Sequence, residues 1–150
     1  SVHLSIYYAG KLLVIGQVDS PSSFNYSVTT GSSFDLLETS SGRVILAFQT
    51  EEERERRLKR RKLFMNLIKK KNDSSLSILE KKFSSKTIHE IIKNKCEVVK
   101  SLQVSGVTNI SVPIFDHTNQ AIAAITIPFL QRINRDSKND LNLLKTTKPS

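Results

Sequence analysis

The chain predicts an α+β domain, with a central antiparallel sheet and helices packed on it. Three observations carry this expectation. Alternating or continuous apolar runs stand near both ends, at Val2–Tyr8, Leu12–Val18, 107–115 and 121–128. Helical start signals cluster between them, at Thr39-Ser40-Ser41, Thr50-Glu51-Glu52-Glu53 and Thr87-Ile88-His89-Glu90. The 150 residues, 38% of them hydrophobic and 25% charged, suit one soluble domain with its own core.

Val2–Tyr8 and Leu12–Val18 form a hairpin through Ala9-Gly10-Lys11, and Phe24–Val28 reads as a third strand. Residues 40–49 are a short buried helix, since Val44, Ile45, Leu46, Ala47 and Phe48 leave it no polar face. The capping box at Thr50 opens a second helix to about Leu67. A polar break at KKKNDSS precedes a helical turn or two over Leu76–Phe83. The capping box at Thr87 starts a helix to about Lys95, with Ile88, Ile91 and Ile92 on one face. Strands follow at about 97–102, 107–115 and 121–128, the last two joined by a turn at His117–Gln120. The tail from Arg135 is polar and frayed.

Charge is uneven. Net charges are −1 over residues 1–50, +8 over 51–100 and +2 over 101–150, giving +9 in all. The basic segment 51–71 admits a nucleic-acid or acidic-partner reading. Against it, EEERERRLKRRK holds one apolar residue, Leu58, and three favourable i,i+4 pairs, as a solvated surface helix would. It also lacks interleaved aromatics and a helix-turn-helix frame.

His3, His89, His117 and Cys96 show no metal-ligand spacing, and no phosphate-binding glycine loop occurs, so no metal or cofactor is expected. Cys96 is read as a small packed hydrophobe rather than a nucleophile, and no catalytic residue is assigned. One cysteine fits a reducing cytoplasm, and no window is long and apolar enough for a membrane span.

The stretch GSSFDLLETSSGRVILAF (Gly31–Phe48) is the richest in functional content. Thr39, Ser40 and Ser41 can cap the helix that follows, and the same free N–H groups attract a small anion or carboxylate. These residues also carry a resemblance. Gly31, Phe34, Leu36, Thr39-Ser40-Ser41-Gly42-Arg43 and Leu46-Ala47 resemble the effector-binding domain of the IclR family of transcription factors. VHLSIYYAGKLLVIGQVDS near the start and GVTNISVPIFDHTNQAIAAITIP near the end are similar to that family's first strand pair and closing hairpin.

The resemblance implies a GAF/profilin-like sensor fold over residues 1–133, followed by the polar tail 134–150. It implies a small-molecule effector, organic acid-like, and a homodimer or tetramer. DNA would be contacted only through an N-terminal winged helix-turn-helix that this chain does not hold. The implied ligand-binding residues are Tyr26, Leu36, Thr39, Ser40, Ser41, Gly42, Asn109, Ser111 and Thr126. Phe24, beside Tyr26, is read as core. The chain departs from the family at Asp35, Leu37 and Glu38, and again over Lys95–Ser101, where acidic positions become basic or neutral. That exchange implies a more anionic ligand, with Lys100 as its charge partner.

Overall fold

The computed structural model describes residues 2–19, 29–68, 74–101 and 105–130. Its strands are β1 (Val2–Tyr8), β2 (Lys11–Val18), β3 (Ser33–Phe34), β4 (Glu97–Lys100), β5 (Val107–Phe115) and β6 (Ala121–Leu130). Among the described residues four helices stand between β3 and β4: α1 (Ser40–Ala47), α2 (Glu51–Ile68), α3 (Ser74–Lys82) and α4 (Ser85–Asn94). The strands make one sheet in the order β3-β2-β1-β6-β5-β4, with every neighbouring pair antiparallel. The predicted α+β class is what the chain adopts. Phe24–Val28, expected as a strand, and the tail from Gln131 onward lie outside the described residues.

The helix α1 is the keystone of the core. Seven of its eight residues are buried, all but Arg43, and it packs on β5 and β6. Val44, Ile45, Leu46 and Ala47 join Leu12, Leu36, Leu37, Phe83, Ile91 and Ala124 in a single apolar cluster. The approach to α1 is so close that a Cβ on Gly42 would stand 2.0 Å from the carbonyl oxygen of Leu36. The obstacle is backbone, which cannot swing away, so only glycine fits. At the far end of α1, buried Gln49 donates to the carbonyls of Ile45 at 3.0 Å and Ala121 at 2.7 Å, tying the helix to the start of β6.

The second helix begins as expected, with the Thr50 hydroxyl accepting from the Glu53 N–H at 3.1 Å. It is not, however, a helix that barely touches the core. Arg61 is wholly buried and Met65 nearly so. Arg54 donates to the carbonyls of Leu46, Ala47 and Gln49 at 2.9, 2.9 and 3.0 Å, capping the C-terminus of α1. Arg57 stacks over the Tyr7 ring at 4.4 Å. The sequence pattern showed a charged run, but three of its arginines work inward.

The fourth helix begins earlier than the Thr87 capping box implied. Its N-cap is Ser84, whose hydroxyl accepts from the Thr87 N–H at 3.3 Å, and Thr87 therefore lies inside the first turn.

Gly42→Ala should destabilise the domain by about 3 kcal/mol or more, because overpacking meets a fixed carbonyl. Urea unfolding followed by circular dichroism measures this. A loss below about 1 kcal/mol would mean that the loop carrying Leu36 yields readily.

Candidate functional site

The start of α1 lies against the middle of the sheet, and polar side chains meet there. Thr39 is the N-cap, its hydroxyl accepting from the Gly42 N–H at 3.1 Å. Ser40 and Ser41 are the first helical residues, so their N–H groups have no carbonyl one turn behind them. Both side chains are buried. The Ser40 hydroxyl reaches Ser111 on β5 at 2.6 Å, and Ser111 reaches Thr126 on β6 at 2.7 Å. Three buried hydroxyls thus run in one relay from the helix start across two strands.

Strand register extends this relay into a polar row. Glu97 on β4 pairs with Ser111, Ser111 with Thr126, and Thr126 with His3 on β1. Directly paired residues share a face, so all four side chains lie on the α1 side of the sheet. At one end Arg43 donates to the Glu97 carboxylate at 2.7 Å and to the Leu37 carbonyl at 2.7 Å. Burial nonetheless pushes the Glu97 carboxyl above its ordinary value, with Arg43 acting in the opposite direction. At the other end burial holds His3 below the ordinary imidazole value of 6.5.

The structure therefore brings Thr39, Ser40, Ser41, Gly42, Ser111 and Thr126 together. Asn109 shares their face two residues along β5 and is half-buried. Leu36 is fully buried in the apolar cluster, where it packs as core. Lys100 is not brought to this place. Alternation from Glu97 puts it on the opposite face, paired with Thr108 and exposed to solvent. Tyr26 lies outside the described residues.

Sequence reasoning missed His3, Arg43 and Glu97. The spacing of Arg43 after the cap was visible, but its partner 54 residues away was not. Among the described residues no group of three or more His, Cys, Asp or Glu side chains could hold a metal ion. Cys96 is buried. No helix among the described residues is long and apolar enough to cross a membrane.

Comparison with known proteins agrees with this architecture. Residues 1–148 match the family described as bacterial transcriptional regulator IclR C-terminal. No curated protein matches the chain by sequence. Among solved structures, the Thermotoga maritima IclR shares 26% identity at a TM-score of 0.66, covering 96% of this chain and 56% of that one. A transcriptional regulator from Rhodococcus sp. RHA1 shares 19% identity at a TM-score of 0.68, with coverage of 97% and 58%. The C-terminal domain of a Vibrio cholerae regulator shares 21% at 0.64, with coverage of 96% and 79%. This chain thus spans a little over half the length of the Thermotoga and Rhodococcus proteins.

Two predictions follow from the polar row. Ser111→Ala leaves the Ser40 and Thr126 hydroxyls without their shared partner and should cost about 1–3 kcal/mol in urea unfolding. A change under about 0.5 kcal/mol would show that the two re-pair or are solvated. His3 takes up a proton more readily unfolded than folded, so its contribution to stability is lost as pH falls below about 6.5. Between about pH 7.5 and pH 5.5 the wild type should lose more stability than His3→Gln, and equal losses would refute this.

Proposed function

Because the chain belongs to the IclR family as a C-terminal domain of its transcriptional regulators, we propose that it binds a small organic acid at the start of α1 and transmits occupancy through oligomer arrangement. The observation that carries this reading is the relay of Ser40, Ser111 and Thr126 beneath a helix N-terminus. The first N–H groups of α1 and the positive end of its dipole favour a carboxylate. Three adjustable hydroxyls offer donors and acceptors to the rest of such a molecule. The family is one of regulators and not of enzymes, and the site asks for no catalysis.

In this reading the acid displaces part of the relay, and the loop before α1 answers by shifting. Such a shift changes how two or four copies pack and hence how the DNA-binding parts are spaced. DNA contact belongs to the N-terminal part of the regulator, and the working compartment is the cytoplasm. The register gives no support to Lys100 as charge partner, which leaves the helix start as the anion's main attraction. A phosphate-gripping role for α2 is weakened by the inward use of Arg54, Arg57 and Arg61.

A thermal-shift screen of small carboxylates at millimolar concentration tests the proposal. An acid at 100 times its dissociation constant stabilises by about 2.7 kcal/mol. Ser40→Ala should weaken the acid's binding about tenfold or more, as loss of one hydrogen bond to a charged group implies. Failure of every carboxylate to raise the melting temperature, or an unchanged affinity in Ser40→Ala, would sink it.

A further inference from the structure

A cavity lies between α2 and α3. It measures about 250 Å³ and is lined by Leu37, Leu58, Lys59, Lys62, Glu80 and Phe83. Its size is below that of pockets for drug-sized ligands, so it suits a smaller molecule. The lining divides cleanly by chemistry. Leu37, Leu58 and Phe83 make an apolar wall, while Lys59 and Lys62 stand exposed at the mouth.

One lining residue, Glu80, also faces a buried cation. The guanidinium of Arg61 is fully buried and grips Asp35 with two bonds, Nε to Oδ1 at 2.6 Å and Nη2 to Oδ2 at 2.8 Å. Its third nitrogen, Nη1, is buried and makes no hydrogen bond. It is turned toward Glu80, a lining residue, at 3.5 Å, too loosely to bond. A buried donor without an acceptor is costly, and a guanidinium fork is shaped for a carboxylate.

We propose that the α2–α3 cavity is a second ligand site, for small monocarboxylates with an apolar ring or chain. The apolar part lies against Leu37, Leu58 and Phe83. The carboxylate is met by Lys59 and Lys62, and Glu80 is the lining carboxylate it competes with. Two lysines against one glutamate leave the mouth positive, which favours an anion over a neutral analogue. Arg61 also links this cavity to the loop before α1 through Asp35, whose carbonyl accepts from the Thr39 hydroxyl at 3.4 Å.

Titration of the isotopically labelled chain with benzoate, followed by amide nuclear magnetic resonance, tests the assignment. Saturable shifts are expected at Lys59, Lys62, Glu80 and Phe83, with a further response at Asp35. The exposed-site double variant Lys59→Glu/Lys62→Glu should lower the affinity tenfold or more, and Glu80→Gln should raise it several-fold by removing a competing carboxylate. Benzamide, neutral and of equal shape, should bind at least tenfold more weakly. Shifts confined to the start of α1 and to β5–β6, benzoate affinity unchanged in the double variant, or equal binding of benzamide would each overturn the proposal. Because Lys59, Lys62 and Glu80 report on the cavity, and Ser40, Ser111 and Thr126 on the start of α1, a result at one site leaves the other to be judged on its own.

Discussion

The buried ion pair of Arg61 and Asp35 is the constraint on which the local architecture rests. Both side chains are withdrawn from water, at 0% and 4% exposure, so each needs the other. Removing one partner of such a pair typically costs about 3–5 kcal/mol, because an uncompensated charge is left inside. The pair anchors a loop in which the carbonyls of Asp35, Leu36 and Leu37 are each bonded or in close contact. Asp35 accepts from Thr39, Leu36 presses on Gly42, and Leu37 accepts from Arg43. That fixed loop sets where α1 begins, and the helix start decides which hydroxyls meet on the sheet.

The same helix that supplies Arg61 also holds the other end of α1. Arg54 donates to the carbonyls of Leu46 and Ala47 at the helix end, and Arg57 lies on Tyr7 of β1. Thus α2 braces α1 at both ends and the first hairpin between them. Its outward pairs, such as Arg56 with Glu52 at 3.7 Å, are exposed and contribute little. The stabilising weight of this charged helix lies on its inner side, where desolvation makes each geometry demanding.

Much of the fold could be read from local pattern. The spans of β5 and β6 and the opening of α2 at Thr50 follow from alternation and capping chemistry, which act over a few residues. Thr39, Ser40 and Ser41 were also visible as a helix start. What escaped the sequence depends on pairing at a distance. Nothing in EEERERRLKRRK distinguishes Arg61 from Arg60, since the difference is a carboxylate 26 residues earlier. His3 joins the site because β1 lies beside β6, a fact of topology. Lys100 sits one step of alternation away from the face that mattered, and a strand's facing is set by its partners.

The hydroxyl relay has a property of its own. Each of its three oxygens carries one proton, so the row from Ser40 to Thr126 can align in either of two opposite senses. Reversal needs only rotation about three carbon–oxygen bonds, with no movement of heavy atoms. A group that accepts at the helix end selects one sense, and a group that donates selects the other. The arrangement is therefore a small reversible dipole set into the sheet, and it offers its far end a donor or an acceptor according to what touches the near end.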